Sequence, residues 1–139
     1  MRVVLDTNVV VSALLWGGTP YRLLQQAVDG NIELFTSPTL VAELGKILAR
    51  PHLAVKLAEQ RTSIEELTAL YLDFACLVSP LSTPRVVPDD PDDDHVVSCA
   101  LSAHADAVVS GDHHLLALAK YEGIRILTAA EAVKIIGTP

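Results

Sequence analysis

Apolar residues along this chain come in short runs of two kinds. Four are brief and rich in Val, Leu and Ile: RVVL at 2–5, IELFT at 32–36, AVVS at 107–110 and IRIL at 124–127. Such runs predict strands, and RVVL reads as one buried on both faces. A further extended piece is predicted at 76–79. Between them, apolar positions recur at helical spacing. VVVSALL opens a helix that ends near Gly17-Gly18. Thr19-Pro20 then reads as an N-cap with proline at the first helical position, starting a helix to about Asp29 that stops at Gly30. Ser37-Pro38 repeats this signal ahead of a helix at 38–50, and Pro51 begins a shorter helical piece. Ser63 with Glu66 forms a capping box for a helix at 64–74, and Thr128 with Glu131 forms another for 129–136. Helices are also predicted at 93–104 and 113–121, with a proline-containing loop at 80–91.

Strands thus alternate with helices, which predicts an α/β protein: a three-layer α/β/α sandwich around a mainly parallel sheet, with 1–139 as one domain. Composition agrees with a packed core. Half of the 139 residues are hydrophobic and 19% are charged, too apolar a balance for a disordered chain. Aromatics make up only 4%, which argues against a base-stacking platform for single strands. The formal net charge of −7 gives no general attraction for nucleic acid, so a nucleic-acid substrate would need metal ions and local basic residues. Arg2, Arg22, Lys46 and Arg50 are the candidates in the N-terminal third. Cys76 and Cys99 have no CxxC partner and read as core thiols of a reducing compartment. The N-terminal stretch carries Asp6 and Asn8 and has no basic lead, unlike a signal peptide, and no apolar run is long enough to span a bilayer. The expected location is cytoplasmic.

One stretch departs from this bland picture. VVPDDPDDDHVVSCA, at 86–100, holds five aspartates between Asp89 and Asp94, broken only by Pro91, and then turns apolar. In open α/β sheets, ligands sit outside the carboxyl ends of the strands. Asp6 stands at the end of the first predicted strand and Asp112 just beyond AVVSG. Asp94 opens the helix before that strand, and Glu43 lies in the helix after the second. A doubly wound sheet would bring these four acids to one edge. Carboxylates so close need compensation, and hard oxygen ligands suit Mg²⁺ or Mn²⁺. Ions held this way hydrolyse phosphodiesters. Each acid alone has an ordinary reading: Asp6 and Asp112 as helix caps, Asp94 as part of a solvated helix start, and Glu43 as a surface residue. The agreement of four placements favours the site.

Other devices are excluded. Asp90, Asp92 and Asp94 alternate like a calcium loop, but His95 stands where glycine is required and Leu101 where the closing glutamate belongs. There is no glycine-rich phosphate loop and no GxSxG elbow. His113 and His114 are adjacent, a spacing that directs side chains apart instead of pairing them on one metal. A phosphoryl-accepting Asp6 fits poorly, because Asn8 replaces the second acid of a DxD motif.

VVLDTNVVVSALL, SPTLVAEL, DPDDDHVVSCAL and AVVSGDHHLLAL resemble, in order and spacing, the motifs of PIN-domain ribonucleases, with VapC-type toxins of toxin–antitoxin pairs as the closest branch. The resemblance covers essentially the whole chain. It implies a Mg²⁺- or Mn²⁺-dependent endoribonuclease that cuts single-stranded RNA, with Asp6, Glu43, Asp94 and Asp112 as its acids. Eighteen positions separate Asp94 from Asp112, in keeping with the family. Thr7, Asn8 and Ser110 fall where the family uses polar residues to orient acids or the attacking water. His114 stands where many relatives carry a further acid, and Asp92 and Asp93 compete with Asp94 for the third position. The implied partners are RNA, an antitoxin protein and a second copy of the chain in a homodimer. A catalytically silent RNA- or protein-binding module on the same fold is the alternative.

Overall fold

The computed structural model describes residues 1–81, 83, 85 and 91–136. Much of the predicted loop at 80–91, including Asp89 and Asp90, lies outside the described residues. The chain begins with strand β1 (Arg2–Leu5), followed by α1 (Thr7–Leu15) and α2 (Gly18–Val28). Next come β2 (Glu33–Thr36), α3 (Pro38–Leu48), a 3₁₀ turn (Pro51–Leu53), α4 (Ala54–Glu59), α5 (Ile64–Phe74) and β3 (Ala75–Leu77). After the loop follow α6 (Pro91–Ser102), β4 (Ala107–Val109), α7 (His113–Leu116), β5 (Lys120–Tyr121), β6 (Ile124–Leu127) and α8 (Ala129–Ile136).

Among the described residues the strands form one six-stranded sheet in the order β3-β2-β1-β4-β6-β5. All pairs are parallel except β5 with β6. The chain winds outward from β1 to β2 and β3, then returns to place β4 on the other side of β1. The crevice between the ends of β1 and β4 is therefore the point where winding reverses, the usual ligand position in such sheets.

The central strands β1 and β4 bury both faces, as the unbroken apolar run of β1 predicts. Val3 and Leu5 of β1, with Ala107 and Val109 of β4, join the core beneath α1, α2, α5 and α8. Val4 and Val108 face the opposite way, into a core completed by Val96, Val97 and Cys99 of α6 and Leu115 of α7. Side chains alternate across a strand, so two cores on two faces make the three layers. Burial pushes the Cys99 thiol up to about 12, against a lowering hydrogen bond with Ser37, so it is an inert core group. Cys76 was expected to be buried as well. It is exposed, because β3 is an edge strand.

Local signals account for most boundaries. Ser37 and Ser63 each accept a backbone N–H three residues on, from Leu40 at 3.3 Å and Glu66 at 3.1 Å. Thr128 and Glu131 exchange reciprocal hydrogen bonds of 3.0 and 3.1 Å, and the one donated by the Thr128 N–H holds the Glu131 carboxyl below its usual range. Two expectations are corrected. α2 starts earlier than Thr19-Pro20 implies: its N-cap is Gly17, at φ 73°, followed by Gly18 at φ 69°. Two successive left-handed residues turn α1 into α2 more sharply than a side-chain cap would, and glycine adopts them without strain. The helix expected at 113–121 ends at Leu116. Ala119 is left-handed at φ 56°, and the chain reverses through Glu122 and Gly123, at φ 47° and 84°. Two positive φ values in a two-residue loop give the turn that best matches strand twist, which pairs Lys120 and Tyr121 with β6.

α6 closes with a Schellman arrangement: Ala105 N–H donates to Ala100 C=O at 2.9 Å and His104 N–H to Leu101 C=O at 3.2 Å. His104 occupies the left-handed position at φ 50°. Glycine carries no Cβ penalty there, so His104→Gly should stabilise the protein by about 1 kcal/mol. A higher denaturant midpoint at unchanged slope would check this.

Candidate metal centre at the ends of β1 and β4

Asp6 follows β1 directly and caps α1. Its Oδ1 accepts the Thr7 N–H at 2.8 Å. Its own N–H donates to Val109 C=O at 2.8 Å, which ties it to the end of β4. Its Oδ2 accepts the Ser110 hydroxyl at 2.7 Å, a buried contact across 104 positions of chain. Ser110 is wholly buried, and its Oγ also accepts the Asp112 N–H at 2.9 Å. Asp112 in turn caps α7, its Oδ1 accepting the His114 N–H at 2.8 Å. One continuous path of hydrogen bonds thus runs from Asp6 through Ser110 and Asp112 to His114. The ordinary reading of Asp6 and Asp112 as caps describes a real role. In Asp6, capping occupies one carboxylate oxygen while the other meets Ser110.

The acidic start of α6 faces inward. Asp93 and Asp94 are 4% and 5% exposed, so neither is a solvated charge at a helix start. Both lie in the first turn, where the helix dipole favours anions. Asp93, Asp112 and His114 offer ligand atoms that all lie within 4.8 Å of one another. Two carboxylates and an imidazole, hard oxygen with borderline nitrogen, suit a divalent ion. Asp6, Glu43 and Asp94 stand outside that set of three among the described residues. Glu43 is half-buried on α3, which packs against both α1 and α6, the helices that begin at Asp6 and at the aspartate run.

His113 and His114 do not diverge as their adjacency suggested. Their rings lie 4.2 Å apart between centroids, tilted by 41°. His114 Nδ1 is 3.4 Å from Asp112 Oδ1. The sequence leaves open whether His114 takes part, because side-chain direction at a helix cap cannot be read from spacing alone.

Thr7 is buried, and its hydroxyl makes no hydrogen bond among the described residues. Asn8 is exposed and, with Ser110, Gly111 and Thr128, lines a cleft of about 230 Å³ beside the acids. A second largely apolar cavity of about 240 Å³ lies away from them, between α1, α2 and α5. Of the basic candidates, Arg22, Lys46 and Arg50 are exposed. Arg2 is committed elsewhere: its Nε donates to Ala103 C=O at 2.7 Å and its guanidinium lies 4.4 Å from the Phe35 ring centre. It also stands at the opposite end of β1 from Asp6.

The family model of the PIN domain matches residues 2–114, a span that contains Asp6, Glu43, Asp93, Asp94 and Asp112. The chain belongs to the PIN-domain family. An uncharacterized protein of Methanocaldococcus jannaschii is 29% identical over 119 residues, covering 85% of this PIN-domain chain and 75% of the relative. Among solved structures, VapBC2 from Rickettsia felis bound to a DNA fragment from their promoter aligns with a TM-score of 0.62, covering 91% of this chain and 97% of that one. At 16% identity, that likeness establishes the fold.

Proposed function

We propose that this PIN-domain protein is a Mg²⁺- or Mn²⁺-dependent endoribonuclease of single-stranded RNA and the toxin of a toxin–antitoxin pair. The observation that carries the reading is the buried path from Asp6 through Ser110 to Asp112, lying beside inward-facing Asp93 and Asp94. A sheet edge that gathers so many carboxylates out of water needs positive charge to balance them. Asp112, with Asp93 or Asp94, and Asp6 would hold the ion, with Glu43 completing the site. When bound, the ion supplies charge for the phosphate and a more acidic water.

The chain's own residues prepare the geometry. Ser110 fixes the Asp6 carboxylate and, through the Asp112 N–H, the start of α7. Thr7 and Asn8 border the acids from α1, where their polar groups would orient water or the RNA backbone. Glu43 would assist proton transfer from that water. Exposed Arg22, Lys46 and Arg50 would hold RNA phosphates in place of a broad basic surface. Tyr21, Val28 and Leu70 are large, exposed apolar side chains around the cavity between α1, α2 and α5, a surface for the antitoxin or a second copy of the chain. Support for an antitoxin partner comes from the VapBC2 likeness and the motif resemblance.

The test is cleavage of end-labelled single-stranded RNA by the purified chain, with either ion and after chelation. Cutting should occur only with metal. Asp93→Asn and Asp94→Asn, compared side by side, assign the third ligand: the one that removes cutting without unfolding the protein holds the ion. Binding of RNA without cutting under any metal would instead identify the silent module. Cutting unaffected by the product of any neighbouring gene, from a strict monomer, would remove the toxin reading and leave the nuclease.

A further inference from the structure

We propose that His114 is itself a ligand of the ion, which makes the site selective for a nitrogen-seeking transition ion over Mg²⁺. The inference rests on the metal-centre reading above and concerns which ion that centre takes. His114 belongs to the set whose ligand atoms lie within 4.8 Å of one another, with Asp93 and Asp112. Its side chain is 38% exposed, yet its Nδ1 is buried and makes no hydrogen bond among the described residues. The ring therefore shows one edge to solvent and turns Nδ1 inward, to 3.4 Å from Asp112 Oδ1.

Two constraints hold it there. The His114 N–H is bonded to Asp112 Oδ1 at 2.8 Å, which fixes the backbone. The His113 ring, 4.2 Å away between centroids, restricts rotation of the imidazole. A nitrogen donor held in place loses little entropy on binding an ion, the essence of a preorganised site.

Donor chemistry then sets selectivity. Mg²⁺ prefers oxygen and gives up its waters reluctantly. Imidazole favours ions further along the first transition row, where affinity for nitrogen sites rises from Mn²⁺ through Co²⁺ to Ni²⁺. Two carboxylates alone would take Mg²⁺ and Co²⁺ more evenly. The third donor tips the balance.

The experiment titrates the apo protein with CoCl₂ and, separately, MgCl₂. It follows heat of binding and the visible absorption of Co²⁺, neither of which depends on activity. The intact chain should bind Co²⁺ at least about tenfold tighter than Mg²⁺. His114→Ala should cut Co²⁺ affinity about tenfold or more, leave Mg²⁺ affinity within about twofold and shift the Co²⁺ spectrum. His113→Ala should cost less Co²⁺ affinity than His114→Ala, since that ring orients its neighbour without donating to the ion. Should His114→Ala alter folding, paramagnetic broadening of the His114 ring protons in the intact chain by Co²⁺ gives the answer directly. Equal weakening of both ions, an unchanged Co²⁺ affinity in His114→Ala, or a loss that follows His113 instead would overturn the inference while leaving the metal centre. Failure of the intact chain to bind either ion would overturn both.

Discussion

Asp112→Asn should lower RNA cleavage at least about a hundredfold, some 2.7 kcal/mol of lost transition-state stabilisation, and leave the fold intact. The two halves of that expectation have separate causes. As a cap, Asp112 needs only an oxygen to accept the His114 N–H, and asparagine provides one with equal cap preference. The Asp112 N–H keeps its bond to Ser110. In its proposed role as a ligand, however, the side chain loses the charge that would hold a cation. Stability should therefore stay within about 1 kcal/mol while catalysis collapses. The check is paired: denaturant unfolding and single-turnover cleavage on one preparation. A variant that unfolds as it loses activity would show that the cap, and not the charge, is what the protein needs at this position.

Much of that geometry was legible in the sequence because it is encoded locally. Ser37, Ser63 and the Thr128–Glu131 pair each satisfy helix ends within three residues, so their positions show in the order of residues alone. The strand-end rule placed Asp6 and Asp112 together, although they lie in distant parts of the chain. Other features depend on contacts that a linear pattern does not carry. LLALAKY looks helical because Leu115, Leu116 and Leu118 are spaced that way, but the chain turns left-handed at Ala119 and pairs with β6. Asp93 and Asp94 are neighbours on one helical turn, about 100° apart, and sequence register does not say which one turns to Asp112. Cys76 seemed internal until β3 took the sheet edge.

Ser110→Ala is the second large effect, and it should separate from the first by its influence on stability. The hydroxyl donates to Asp6 Oδ2 at 2.7 Å and accepts from the Asp112 N–H at 2.9 Å. Alanine removes both bonds, of which the one to Asp6 is buried and the one to Asp112 partly so. A buried hydrogen bond to a charged group contributes about 1.5–3 kcal/mol, so a loss of roughly 2–4 kcal/mol is expected for the pair. The melting temperature should fall by several degrees, on the order of 6–14 °C. Cleavage should fall about tenfold to a hundredfold, as when a residue that orients a metal ligand is lost. The strand itself should survive, because the Ser110 N–H still donates to Leu127 C=O at 2.9 Å. Combining the change with Asp6→Asn should cost less than the two separate losses added together, since both break the same bond. Full additivity in that cycle, or a Ser110→Ala protein as stable as the parent, would contradict this account.

The Asp6–Ser110 contact also carries a consequence for synthesis. Its partners are 104 positions apart, and β1 cannot complete its place in the sheet until β4 arrives beside it. Long-range pairing of this kind forms late, after the local helices. During synthesis Asp6 leaves the ribosome more than a hundred residues ahead of Ser110 and Asp112, so the acids cannot gather until the segment carrying β4 has followed. On the proposed nuclease reading, cutting would stay off while that stretch is being made, sparing the message that encodes it.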